Sequence, residues 1–202
     1  EVRYYAFARN YPRWLFPGKI GGQSDALFEL NGEALRVLDA FKHGPWGKTA
    51  GAIRDFDPDV LILPWWVSFW APLLYTLARK TRGGRMKIVF VCHNVLPHEK
   101  FPLQKSIARK VLSLADEWIV HCEQDRLLLE DMLPGSRAHK IMHPTYDVFR
   151  RGGAAAHPEK KGFSLLFFGF VRPYKGLRYL LEAMPRVARE TGAHLTVAGE
   201  FW

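Results

Sequence analysis

The sequence is poor in cysteine, with only Cys92 and Cys122 in 202 residues. Two thiols cannot build a disulfide scaffold, and their separation matches no structural zinc spacing. Each closes an apolar, strand-like run, so both are expected as reduced thiols at strand ends, which favours a cytoplasmic location. Long apolar runs are missing as well. Residues 60–78 come nearest to a membrane span, but Pro64, Pro72 and three tryptophans interrupt them. They read instead as a strand, a loop and a helix. Acidic residues are in deficit, 20 against 29 Lys and Arg, which gives a formal charge of +9. That balance favours anionic partners. The cations are dispersed, however, and no RNP-like, zinc-finger or helix-turn-helix signature accompanies them, which sets nucleic acid aside. There is no internal repeat. Glu1-Val2-Arg3-Tyr4-Tyr5 resembles the inside of a strand rather than a signal peptide. Phe201-Trp202 lies just past another strand, so the chain is expected to be cut at both ends.

Several short matches to catalytic motifs fail on context. Gly47-Lys48-Thr49 resembles the end of a phosphate-binding loop, but Lys42 stands where that loop needs its first glycine. Asp57-Pro58-Asp59 has the bare pattern of a metal-holding aspartate pair, yet it precedes a strand and reads as a turn. His98-Glu99 lacks the second histidine at helical spacing that a zinc protease requires. No Ser-His-Asp or Cys-His set can be assembled, and no metal site is expected.

What the sequence does contain is a core and a pattern. It is 48% hydrophobic, enough to bury a substantial interior. From residue 59 onward strands alternate with helices. Short apolar runs at 59–63, 87–92, 117–121 and, weakly, 140–142 are separated by helical stretches near 69–81, through Ile107, Val111 and Leu114, and over 123–133. Runs of this kind predict parallel strands buried on both faces in a doubly wound sheet. The first 58 residues are less regular: a strand at 2–8, an aromatic, proline-containing loop to Gly22, then helical segments. Residues 150–162 lack periodicity and read as a linker. A fresh βαβ unit follows, with strands at 164–169 and 194–198 around a helix from Gly176 to Glu190. The expected domains are therefore 1–149, a linker at 150–162, and the opening of a second domain at 163–202.

In open α/β sheets, ligands bind beyond the carboxyl ends of the strands. The strand-end residues are thus the candidates. In Gly169-Phe170-Val171-Arg172-Pro173-Tyr174-Lys175-Gly176, Gly169 allows a tight turn, Arg172 offers a planar fork and Lys175 a point charge. The helix that follows adds its positive end, and the set suits a pyrophosphate. His93, directly after a strand, could position a sugar or acceptor hydroxyl near neutral pH. Asn94, Gly199 and Glu200 occupy comparable strand-end places.

The segment Leu165-Leu166-Phe167-Phe168-Gly169-Phe170-Val171-Arg172-Pro173-Tyr174-Lys175-Gly176-Leu177, with Leu180-Leu181-Glu182-Ala183-Met184 after it, resembles the opening of the C-terminal domain of family 4 retaining glycosyltransferases. His194-Leu195-Thr196-Val197-Ala198-Gly199-Glu200 is similar to that domain's second strand. Pro58-Asp59-Val60-Leu61-Ile62, Phe90-Val91-Cys92-His93-Asn94 and Ala115-Asp116-Glu117-Trp118-Ile119-Val120-His121 resemble three landmarks of the same family, in the family's order.

The resemblance implies a GT-B fold, two Rossmann-like doubly wound domains of which the second is only partly present. It implies transfer of a hexosyl group from a UDP- or GDP-sugar to an acceptor hydroxyl with retention, without a metal or other cofactor. Lys175 matches the family lysine on the donor phosphates. The family's arginine directly after the strand-end glycine is replaced here by Phe170, and Arg172 stands two residues on. His93 matches the family histidine near the reacting sugar, and Asn94, Gly199 and Glu200 would border the ligands. The family's donor-contacting glutamate pair would lie beyond Trp202 and its Gly-rich loop before Glu1, so the fragment alone is expected to be inactive. Expected partners are the nucleotide-sugar and a glycan or lipid-linked acceptor. The aromatic, basic stretch 11–19 suggests peripheral contact at the inner face of a membrane. Two rival readings are a GT-B sugar-nucleotide epimerase and a non-catalytic protein that binds nucleotide-sugar or a partner.

Overall fold

The computed structural model describes residues 1–9, 33–39, 42–97, 102–145 and 162–200. The chain divides into two compact units. The described residues of the first lie within 1–144, and those of the second within 145–200. The aromatic stretch 11–19, His98-Glu99, Trp202 and all of the expected linker but Gly162 lie outside the described residues.

The first unit is α/β with parallel strands. Its main sheet has the order β3 (Val60–Trp65), β4 (Lys87–Cys92), β5 (Glu117–Val120), β6 (Ala138–Lys140), every neighbouring pair parallel. Helices α2 (Ala71–Thr81), α3 (Gln104–Leu112) and α4 (Glu123–Met132) connect successive strands, as parallel neighbours require. A separate parallel pair is formed by β1 (Arg3–Arg9) and β2 (Glu33–Asp39), and α1 (His43–Phe56) leads from β2 to β3. The topology is consistent with a Rossmann-like domain.

Helical periodicity accounts for the packing. On α1 the buried residues are Trp46, Thr49, Ala50 and Ile53, a single stripe at three- and four-residue spacing. On α2 they include Leu73, Leu74, Leu77 and Ala78, and Pro72 sits in the first turn, where its missing N–H costs nothing. These stripes join Trp65, Ile88, Phe90, Trp118 and Val120 of the sheet in one hydrophobic core. Replacing Phe90 by Ala in such a core costs about 3–5 kcal/mol. Within this core the Trp118 indole N–H donates to the carbonyl of Leu112 at 3.0 Å.

Three expectations need correction. The region before residue 58 contains β2 at Glu33–Asp39, not only helical segments. Its Glu, Ala, Leu and Arg favour helices in isolation, but pairing with β1 overrides that weak preference. The weak strand expected at 140–142 lies at Ala138–Lys140, in register with Trp118–Val120. The strands are also not buried on both faces. In β3, Leu63 and Trp65 are buried while Ile62 is 61% exposed. Successive side chains of a strand point to opposite faces, and the face that carries Ile62 is less covered than the one that carries Leu63 and Trp65. Smaller differences concern ends: the helix expected from residue 69 opens as a 3-10 turn at Ser68–Trp70, and α3 stops at Leu112, short of Leu114.

The second unit holds the parallel pair β7 (Ser164–Phe168) and β8 (His194–Ala198), joined by α5 (Leu177–Thr191). A short 3-10 turn, Pro173–Lys175, precedes α5, and Gly176 caps that helix with a left-handed φ of 74°. Among the described residues, no helix is long and apolar enough to cross a membrane.

Candidate functional site

The residues singled out in the sequence fall into two groups, one in each unit: His93 and Asn94 in the first, and Gly169, Arg172, Lys175, Gly199 and Glu200 in the second.

In the second unit the strand ends are locked together. Gly169 N–H donates to the carbonyl of Ala198 at 2.9 Å, and Val171 N–H to that of Glu200 at 2.8 Å. These bonds carry the β7–β8 pairing past the formal strand ends. Gly199 faces the Gly169 backbone so closely that a Cβ there would collide with the Gly169 carbonyl. Gly169 itself has φ 109°, open to glycine and closed to most residues. The Lys175 ammonium lies 3.1 Å from where a Cβ on Gly169 would stand. Lys175 is therefore folded back over the glycine at the carboxyl end of β7. Arg172 starts the 3-10 turn, and its carbonyl accepts from Lys175 N–H at 3.0 Å. The first turn of α5 has no side-chain cap. A lysine, a side-chain-free backbone and a helix N-terminus thus meet at one strand edge, a set that attracts an anion.

In the first unit His93 is the residue immediately after β4, and its backbone N–H donates to the carbonyl of Trp65 at 2.8 Å. The loop beyond it is pinned at Val95, which is fully buried. Trp65 Nε1 donates to the Val95 carbonyl at 3.2 Å, and Val95 N–H donates to Asp125 Oδ1 at 3.2 Å. Both polar groups of this buried peptide are satisfied, one from β3 and one from α4. Asn94 lies between them, half-buried.

Two histidines that sequence reasoning had not selected stand beside His93. The His93 and His121 ring centroids are 5.1 Å apart, His121 and His143 5.1 Å, and His93 and His143 5.9 Å. His121 follows β5 directly, and His143 lies just past β6. The three rings mark the carboxyl ends of three adjacent strands. His121 had been placed as the last residue of its strand; with β5 ending at Val120 it becomes the first residue of the ligand-facing loop. Asking which residue type follows each strand would have found it. His121 Nδ1 lies 2.9 Å from the Ile141 carbonyl, and His143 Nδ1 lies 3.1 Å from the Pro144 carbonyl. Burial first, then the neighbouring His121 and His143, hold the His93 imidazole below its ordinary pKa.

Charged groups flank these rings. Glu123 in the first turn of α4 bonds Arg126 and pairs with Lys140 at 3.0 Å, and these hydrogen bonds bring its carboxyl down to about 2. Cys122 caps α4, its Sγ accepting from Asp125 N–H at 3.4 Å. Among the described residues, no group of three His, Cys, Asp or Glu could hold a metal ion. A cavity of about 930 Å³ in this unit lies elsewhere. Its walls combine apolar residues such as Phe7, Ile62 and Leu74 with Arg3, Asp57 and Asp59, and they include none of the three histidines. The strand-end imidazoles are the better candidate.

Comparison with protein families finds no model that matches this chain, and comparison with curated proteins finds no significant match.

Proposed function

We propose that this chain belongs to a GT-B glycosyltransferase that moves a hexosyl group from a UDP- or GDP-sugar to an acceptor hydroxyl with retention. The observation that carries the reading is the placement of Lys175 over Gly169, beside Gly199 and ahead of α5. A diphosphate at this edge would gain the lysine's charge and the free N–H groups of the helix start. Charge-assisted hydrogen bonds are about twice as strong as neutral ones, and a helix N-terminus adds about 0.3–2 kcal/mol. Those contacts strengthen as negative charge builds on the departing diphosphate, so they lower the barrier as well as the binding energy. Arg172, at the start of the same turn, supplies a second cation in place of the arginine that Phe170 displaces. His93, neutral near pH 7, positions the sugar and the acceptor hydroxyl. No metal or cofactor enters this scheme, and the nucleotide-sugar is itself the substrate. The first unit is the acceptor-side domain and the second the donor-side domain.

The test is product analysis. The protein is incubated with UDP- and GDP-hexoses and a panel of glycoside and lipid-linked acceptors, and the anomeric configuration of the product is read by NMR. Transfer with retention supports the reading. Interconversion of the donor sugar without an acceptor would point to an epimerase, and binding without turnover to a nucleotide-sugar-binding protein.

A further inference from the structure

We propose that the cavity between β1 and β3 is a docking slot for one extended, apolar strand, supplied by polypeptide that precedes Glu1 in a longer protein. The slot's occupant is the same under any of the functional readings above.

The two strands that wall the slot stand side by side and run the same way. At its start, β1 is tied to the end of α1, just ahead of β3: the Arg3 guanidinium lies over the Phe56 ring, 4.2 Å from its centroid. At its end, β1 is tied to the turn beyond β3. The Phe7 ring stands 4.4 Å from that of Trp70 and 6.4 Å from that of Trp66. Start meets start and end meets end, yet the strands are not paired. Among the described residues, β1 pairs with β2 alone and β3 with β4 alone. Between them lies the cavity of about 930 Å³, walled by the consecutive residues 1–7 on one side and 57–64 on the other.

The size is that of one strand. Strands lie about 4.8 Å apart, rise about 3.3 Å per residue and fill a layer about 10 Å thick, so a strand of about six residues occupies roughly 950 Å³. Inserted here, it would join the two sheets into one continuous parallel sheet, with β2 and β1 on one side and β3 to β6 on the other.

The chemistry favours a peptide. Each wall is a sheet edge, which presents backbone N–H and C=O groups in need of partners. A lipid chain would fill the volume and take water from those groups without pairing them. An extended peptide pairs with both edges at once. Its side chains are specified as well. Ile53 of α1 and Leu73, Leu74 and Leu77 of α2 line the slot and belong to the core, so the residues that meet them are apolar. Val60 and Ile62 of β3, 48% and 61% exposed, offer further apolar surface for a neighbouring strand to cover. Charge is confined to the end where β1 and β3 begin. There Arg3 pairs with Glu1 at 3.6 Å, and Asp57 with Arg85 at 3.7 Å.

A strand paired on both edges and backed by two helices is a core strand, which favours the same protein as its source. Parallel neighbours need a crossover of about a dozen or more residues. A crossover from the far end of the slot returns the chain to the start of β1, where Glu1 lines the slot. A second copy would have to unpair a strand of its own to fill the same place.

The test compares this chain with the protein that carries its natural residues ahead of Glu1, by hydrogen exchange read with mass spectrometry. In the longer protein, residues 1–7 and 59–64 should exchange at least about tenfold more slowly, a gain larger than any at β5. The added residues should include an apolar run of strand length. A benzophenone attached to Ile62→Cys in the longer protein should cross-link to that run, a result that holds even if the shorter chain folds poorly. Equal exchange in the two proteins, no apolar run ahead of Glu1, or cross-links to a second copy overturns the proposal. So does laurate, if it protects both strands as well as the added residues do.

Discussion

Trp65 Nε1, at the end of β3, donates to the carbonyl of Val95, 3.2 Å away in the loop that follows His93. The bond crosses from one strand end to the next and holds the loop down on the core. Trp65→Phe keeps most of the apolar contact and leaves that buried carbonyl without its donor. The expected cost is about 1–3 kcal/mol, read as a lower urea midpoint at an unchanged slope. The His93 ring signals should move with it. A midpoint equal to that of the parent chain would show that the bond does not hold the loop.

The two glycines of the second unit should prove intolerant for different reasons. Gly199→Ala drives a Cβ into the Gly169 carbonyl, while Gly169→Ala places a side chain at φ 109° and against the Lys175 ammonium. Each should lower stability by about 1–3 kcal/mol. Gly169→Ala should in addition displace Lys175 and weaken diphosphate binding. Chemical denaturation and a UDP titration of both variants check this, and two fully stable variants would contradict the geometry.

The cysteines should react unequally. Cys122 is exposed, whereas Cys92 is buried, and burial together with the charge of Asp125 raises its thiol pKa far above the ordinary value. A thiol reagent at pH 8 should label Cys122 in the native chain, and Cys92 only after unfolding. Equal labelling rates would mean that β4 is not buried as described.

Acid should destabilise the first unit through His93. Its folded pKa lies below the ordinary 6.5, so between those values the unfolded chain binds more protons. Stability therefore falls as pH drops below about 6.5 and stops falling, on this account, once the folded pKa is passed. Glu123, held at about 2, stays ionised throughout this window and does not confuse the reading. Urea midpoints of the parent chain and His93→Gln between pH 7.5 and 5 provide the check. The parent should lose more stability than the variant, and equal slopes would refute the assignment.

The sequence made some of this visible and hid the rest for physical reasons. Apolar runs bounded by turn residues marked β3, β4, β5, β7 and β8, because these strands concentrate the β-branched, aliphatic and aromatic residues that suit a pleated sheet. Residues 33–39 misled, because Glu33, Ala34 and Leu35 favour a helix until a neighbouring strand pairs with them. The strand-end rule led to His93, Gly169, Lys175 and Gly199. It missed His121 by a single residue of strand length, and it passed over His143 although that residue directly follows the weak strand expected at 140–142. That the three imidazoles share one edge depends on the strand order β4-β5-β6, which no local pattern encodes.

The most direct test of the central claim is calorimetric titration of the chain and of Lys175→Ala with UDP-glucose, GDP-mannose, UDP and GDP. Lys175 is exposed and outside the core, so the variant should fold normally. The account predicts saturable binding of at least one nucleotide-sugar, at least tenfold weaker without the lysine, and a matching loss for the free diphosphate. Absence of binding by the parent chain, or equal affinity in Lys175→Ala, would contradict it.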